Sequence, residues 1–484
     1  MRISLAQAAQ AMKAEIPAGA LTGTFSGAST DSRKVGPGEL FFALRGHKHD
    51  GNSFLKQAFA RGAVAAVVDR WPDGGLPEKA DAPLLKVRDA LHAMGELARQ
   101  ARREIRARVV AITGTAGKTA TKEMTALICR EAVGRSFKGS VAATARSENN
   151  LIGVPLTLLN LSGDEDVVIL EMGMNAYGEI ARLTEIADPD FGLITNIGLA
   201  HLKASPQSIS LNGKPSPLLS LDGVKQAKGE LWRGMHPGAV AVVNLDDTNV
   251  RQLAAQRGGP QVLYSAHATE GAQVYCGAFR ELGFEGQELT LNAKNEAVKL
   301  HLPIPGAHQR GNAVAACALA VALGIPLPLV AQAVTKFAPL PMRGELRRLG
   351  ADTVVINDAY NANPLSMAAS LRTLAELPGS RRIAVLGDMR ELGDMSAQAH
   401  RDIGRLVSDL KLDLLLATGD FASDLAAGAR EAGMEPSRVC TFQTSTQLGD
   451  HLASILKPGD RVLLKASRAA ALERVIEWLE KANI

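Results

Sequence analysis

The chain has 484 residues, 46% of them hydrophobic, and a formal net charge of +4 from 54 basic and 50 acidic side chains. That length suggests about three domains, and the apolar share is enough for each to bury a core. The charge is small and interspersed, which argues against nucleic acid as a partner. Four scattered cysteines (Cys129, Cys276, Cys317, Cys440) without a C-x-x-C pair argue against zinc and suit a reducing cytoplasmic compartment.

In the first unit, residues 1–88, residues 1–16 read as a helix rather than as a secretory leader. Residues 40–44 form a strand bounded by Pro37, Gly38 and Gly46. Residues 54–60 are helical, residues 63–68 are a buried strand, and residues 71–83 are a Pro/Gly/Asp-rich surface loop. In the second unit, residues 89–338, a helix covers 89–105. Strands at 109–113, 167–171, 191–195 and 239–244 then alternate with helices, as expected of a parallel sheet. Residues 204–220 are an exposed loop, 273–302 an antiparallel patch and 307–323 a helix. The longest apolar run, residues 313–325, is too short to cross a bilayer, so no membrane insertion is expected.

Pro339 and Pro341 open the third unit, residues 339–484. Strands at 353–358, 382–387, 412–418 and 461–465, each followed by a helical run, make it Rossmann-like. It lacks G-x-G-x-x-G after its first strand, which disfavours a nicotinamide cofactor.

Gly114-Thr115-Ala116-Gly117-Lys118-Thr119 joins a buried strand to a helix. Loop N–H groups and the helix dipole favour a phosphate there, Lys118 adds positive charge, and the Thr119 hydroxyl can reach a phosphate-bound Mg2+. Two residues separate the glycines where the usual phosphate loop has four, so a plain Gly-rich turn with a solvated Lys118 is the alternative. Glu171 ends the next apolar strand, where a carboxylate faces the ligand crevice and can hold Mg2+; taken alone, a strand-end Glu is more often a helix cap or a surface ion-pair partner. His201 follows the strand after that; in isolation it reads as a hydrogen-bonded surface histidine, and beside Thr119 and Glu171 it offers a further ligand. Asn312, near the opening of a helix, is either a cap or a base contact. The run from Asn357 through Asp358, Tyr360, Asn361 and Asn363 carries more hydrogen-bonding side chains than a turn needs and reads as a substrate loop. Lys465-Ala466-Ser467-Arg468 opens the last helix with two cations and a hydroxyl.

Together these residues resemble the Mur ligase family, in order and over nearly the whole chain. The resemblance implies an α/β protein of three domains: a UDP-sugar-binding domain, a P-loop-type ATPase domain with a parallel sheet, and a C-terminal Rossmann-like ligase domain. It implies ATP and Mg2+ as cofactors. Gly114 to Ala120, including Thr115, Ala116 and Gly117, would form the ATP loop. Asn312 would meet adenine, and Arg343 and Asp358 would reach the nucleotide from the third domain. Thr119, Glu171, His201 and Lys228 would hold the metal, Lys228 as its CO2-derived carbamate, whose hard oxygens can ligate where an ammonium cannot. Lys118, Glu171, His201, Lys228 and Arg343 would carry the chemistry.

Residues 358–364 and 385–393, and the N-terminal runs 29–33 and 37–41, resemble the branch of the family that joins D-Ala-D-Ala to UDP-MurNAc-tripeptide. On that reading Ser29, Asp31, Ser32, Arg33 and Asp50 contact the UDP-sugar. Asn149 and Asn150, with Tyr360, Asn361 and Asn363, contact the remaining substrate. The resemblance further implies a cytoplasmic monomer serving cell-wall synthesis, and through it cell shape and division. Another amino-acid ligase of the family, or an ATP-binding relative without turnover, are the alternatives. Ala120 stands where relatives repeat a hydroxyl, Leu199 replaces a frequent proline, and the 204–220 loop is longer than usual.

Overall fold

The computed structural model describes residues 3–16, 21–46, 49–71, 83–200, 202, 220–350 and 352–481. His201 and nearly all of the 204–220 loop lie outside them, as does most of the 71–83 segment.

The central unit is organised on a nine-stranded sheet. Strand Arg108–Thr113, third from one edge, pairs in parallel with Glu165–Glu171 on one side and Phe191–Ile194 on the other. Val109 and Ala111 enter one core while Val110 and Ile112 enter the other. A strand covered on both faces must be apolar throughout, which is why this stretch reads as an unbroken hydrophobic run. The register sets Ile112 beside Glu171 and Thr113 beside Ile194, so three strand ends stop at one level. Chain order reverses here. Ser140–Ala143 and Glu165–Glu171 lie to one side and Phe191–Ile194 to the other, which opens a crevice at the carboxyl ends of the strands. Val240–Asn244, Gln261–Ser265 and Val274–Glu281 extend the parallel part, and Gln287–Ala293 and Glu296–Leu302 add the expected antiparallel patch.

The first unit holds a four-stranded parallel sheet (Gly27–Ser29, Glu39–Phe42, Ala65–Val68, Leu84–Lys86) and a small antiparallel pair. Helix Ala90–Glu104 buries Ala90, Met94, Leu97 and Ala101 in a core that runs without a break from these strands into the central sheet. The Asn160 carboxamide clasps the same joint. Its Oδ1 accepts from Ala28 N at 2.9 Å and its Nδ2 donates to Ala28 O at 3.0 Å.

The third unit is a six-stranded sheet in the order Glu345–Leu349, Thr353–Asn357, Asp460–Lys465, Arg381–Leu386, Leu414–Thr418, Val439–Phe442. Only the first of these runs antiparallel. Two edge strands, Glu345–Leu349 and Val439–Phe442, have no expectation in the sequence. Glu345–Leu349 is charged at three of its 5 positions and Val439–Phe442 has only 4 residues, so neither carries the longer apolar run that marks a central strand.

Candidate active site

Glycine geometry builds the phosphate loop. Gly114 has φ +145° and Gly117 has φ +82°, and Gly117 is the N-cap of helix Lys118–Glu131. A Cβ on Gly114 would lie 1.9 Å from Thr195 Oγ1, and one on Gly117 would lie 2.2 Å from Asn312 Oδ1. Conformation and space therefore both require glycine. The loop is clamped by the segment that leaves the neighbouring strand. Thr195 Oγ1 donates to Ala116 O at 2.7 Å, Ala116 N donates to Asn196 Oδ1 at 2.9 Å, and Gly198 N donates to Thr115 Oγ1 at 2.9 Å. The first N–H groups of the helix have no partner within it and face the crevice.

Two lysines meet at one carbonyl. Lys118 Nζ donates to Gly114 O at 2.7 Å and Lys228 Nζ to the same oxygen at 2.9 Å. Lys228 lies on helix Leu221–Gly234, in line with buried Val224, Ala227 and Leu231, and is 1% exposed. Burial, and then the nearby Lys118 charge, hold its pKa well below the ordinary lysine value. The Lys118 pKa is also lowered, by burial foremost; Glu171 opposes the shift and Arg343 adds to it.

Glu171 is buried. Its Oε1 accepts from Asn149 Nδ2 at 2.8 Å, while its Oε2 has no hydrogen-bond partner. An orphaned buried carboxylate oxygen beside a phosphate loop suits a hard cation. Thr119 is buried on the same helix start. Magnesium needs only one or two protein oxygens when phosphates and water complete its shell, so Glu171 and Thr119 fit such an ion. Among the described residues no group of three His, Cys, Asp or Glu stands ready to cage a metal.

The third unit supplies the opposite wall. Arg343 lies with its guanidinium carbon 3.9 Å from the Tyr360 ring centre, and both reach the central unit: Arg343 Nη2 donates to Ser147 Oγ at 3.1 Å and Tyr360 Oη at 2.7 Å. Asp358 Oδ2 accepts from Lys465 Nζ and from Ser370 Oγ, each at 2.6 Å, and Lys465 also donates to Asn361 O at 3.1 Å. These groups, together with Thr115 to Ala120, Asn149, Glu171, Asn312 and Asn363, line one cavity of ≈ 530 Å³. His308 lines it too. Burial drives its pKa down to about 4 against the pull of Asp358, so its ring is neutral at pH 7.

Several expected residues have other partners. Asn312 is neither at a helix opening nor a cap, because Gly306 is the N-cap of helix Ala307–Ala322; it lies in the second turn, where Nδ2 donates to Gln309 Oε1 at 3.1 Å. Asn150 is outside the cavity lining, and its Oδ1 accepts from Ile152 N and Gly153 N at a helix start. Asn363 lines the cavity and also forms a capping box with Ser366. Ser29, Asp31, Ser32, Arg33 and Asp50 lie away from the cavity, in the N-terminal unit. Arg33 pairs with Asp31 at 2.9 Å, Ser32 Oγ donates to Gln57 Oε1 at 2.7 Å, and Asp50 pairs with Arg70.

Lys122, Ser147, His308 and Gln309 carried no expectation. Ser147 lies in the polar run Arg146 to Asn150 and His308 beside Gln309 and Arg310, so nothing local singles either out, and their place depends on long-range packing. Lys122 had a legible signal: it is one turn beyond Lys118, on the helix face that also buries Thr125 and Cys129. Among the described residues no helix is long and apolar enough to cross a membrane.

Comparison with known proteins covers nearly all of the chain. Residues 24–102 match the model "Mur ligase family, catalytic domain", residues 112–320 match "Mur ligase middle domain", and residues 342–468 match "Mur ligase, glutamate ligase domain". The UDP-N-acetylmuramoyl-tripeptide–D-alanyl-D-alanine ligase of Synechocystis is 37% identical over 94% of this chain and 92% of its own. A crystal structure of MurF from Acinetobacter baumannii superposes with TM-score 0.85 at 29% identity, covering 99% of both chains. That of the MurF ligase from Thermotoga maritima in complex with ADP gives TM-score 0.79 at 25% identity, over 94% of this chain and 97% of that one.

Proposed function

Since this chain belongs to the Mur ligase family, we infer that it is an ATP-dependent ligase joining D-alanyl-D-alanine to UDP-N-acetylmuramoyl-tripeptide, a step of peptidoglycan precursor synthesis. One observation carries the reading: a phosphate loop from the central unit and Arg343, Asp358 and Tyr360 from the third unit face each other across a single cavity. The ADP in the Thermotoga maritima relative supports a nucleotide in that cavity.

A carboxylate does not react with an amine at neutral pH, because its leaving group would be oxide. A carboxylate oxygen of the tripeptide attacks the γ-phosphorus, the bond to ADP breaks, and an acyl phosphate forms. The dipeptide amine attacks its carbonyl carbon, a proton is lost from nitrogen, and phosphate leaves. The protein's share is positioning and charge. The loop N–H groups and Lys118 neutralise the transferred oxygens. Arg343 reaches them from the opposite wall, and the third unit covers the acyl phosphate against water. Mg2+, held by Glu171 and Thr119, would screen the phosphates from one another.

Lys228 is suited to carbamate formation. Only an uncharged amine attacks CO2, and burial beside Lys118 favours that form. The carbamate would give the site a second anion, with His201 as a further ligand. Ser29, Asp31, Ser32, Arg33 and Asp50 stay the candidates for the UDP-sugar, with Arg33 free to turn from Asp31 to a phosphate. A cytoplasmic monomer completes the reading.

The test is ADP production from ATP and Mg2+ with the UDP-linked tripeptide, with and without D-Ala-D-Ala. Release that depends on the dipeptide, together with a new amide in the product, is expected. Nucleotide binding without dipeptide-dependent release would sink the ligase reading.

A further inference from the structure

Lys122 is a lysine with no exposed side-chain surface, and nothing in the chemistry above uses it. Its ammonium donates to Thr144 O at 2.7 Å and to Arg146 O at 2.7 Å, and it pairs with the Glu123 carboxylate, whose Oε1 lies 2.8 Å away. The Glu171 Oε2 atom lies 3.9 Å away, a Coulombic neighbour rather than a hydrogen-bond partner.

The two carbonyls belong to one turn, and that turn is constrained. Arg146 adopts φ +48°, in the left-handed region that a long side chain rarely occupies. The next residue is Ser147, whose Oγ takes both hydrogen bonds from the third unit, one from Arg343 and one from Tyr360. A buried cation thus holds the turn that presents the serine. Lys122 is on the same helix as the phosphate loop, one turn from Lys118.

We propose that Lys122 is a positioning residue that fixes the 144–147 turn so that Ser147 latches the third unit over the phosphate loop. The ligase reading supplies the reaction this serves. Lys122 touches neither nucleotide nor reacting atoms in this role. It acts through the turn, and its loss should weaken the latch while leaving the phosphate loop intact.

Two measurements on the full-length protein test it, using Lys122→Met, Ser147→Ala and the double variant. In hydrogen–deuterium exchange, both single variants should show faster exchange over residues 358–361, with no change in helix Lys118–Glu131. Unchanged protection at 358–361 would overturn the proposal, whether or not the protein turns over. In kinetics, each single variant should lower kcat/KM for D-Ala-D-Ala by about tenfold, with ADP affinity within about twofold of wild type. The double variant should be no worse than Lys122→Met. Losses that multiply, or ADP affinity that falls in step with turnover, would reduce Lys122 to a general stabiliser. If Lys122→Met does not fold, Ser147→Ala alone decides: unimpaired turnover together with unchanged exchange overturns the latch. A wild type that forms no amide would sink the ligase reading, and the exchange result would still judge the latch.

Discussion

The phosphate loop and the N-terminal loop around Asp31 are both short, polar and rich in small residues, yet they are held in opposite ways. Residues 114–119 are fixed from outside by Thr195, Asn196, Gly198 and Asn312, side chains and backbone from distant parts of the chain. Residues 29–33 largely close on themselves: Ser29 Oγ donates to Asp31 O, and Arg33 grips the Asp31 carboxylate with 77% of its own side chain exposed. A site that must meet a transition state is set rigid before the substrate arrives. On the proposed role in holding the UDP-sugar, a loop of the second kind would keep its arginine paired internally and exchange partners on binding.

Substitutions should separate the two. Lys118→Ala is expected to reduce dipeptide-dependent ADP release by roughly a thousandfold or more, because it removes the cation that the phosphate loop itself supplies; unchanged circular dichroism beside lost turnover is the check. Lys228→Ala should come next, with a loss of about a hundredfold that short carboxylates partly restore if a carbamate is the working form. Recovery in acetate or formate is the readout.

A third prediction uses pH. The folded-state pKa of His308 is about 4 against an ordinary 6.5. Below pH 6.5 the unfolded chain binds a proton that the folded chain refuses, so stability falls as pH drops toward 4, by at most about 3 kcal/mol. His308→Gln should flatten that part of a denaturation-versus-pH curve. The smallest effect on the protein alone belongs to Arg33→Ala. An exposed ion pair adds little, so Tm should hardly move while KM for the UDP-linked substrate rises about tenfold and ADP affinity stays put.

The sequence carried the fold well wherever strands are covered on both faces. Residues 109–113, 167–171 and 191–195 differ from the observed strands by no more than two residues at an end, since apolar runs and flanking glycines are local signals. The site was legible where a motif lies within one strand–loop–helix step: Lys118, Thr119 and Glu171 all reach the cavity. It was illegible where the partner is distant in sequence. Nothing around Ser147 announces that residues 343 and 360 will bond to it, and a capping role for Asn150 looks the same in sequence as a substrate role. Of the two roles read for Asn312, the cap fails because Gly306 holds that place, while the carboxamide, in the second turn of the helix, lines the cavity.

The clasp of Asn160 on Ala28 and the shared core around helix Ala90–Glu104 lock the first two units into one rigid frame. If the first unit holds the nucleotide of the acceptor, as proposed, a long acceptor anchored at that end of the frame has to present its acid at the other. The frame would then work as a gauge. A stem one residue too short would stop before the phosphate and one too long would overshoot it, so length would be checked before any side chain is read.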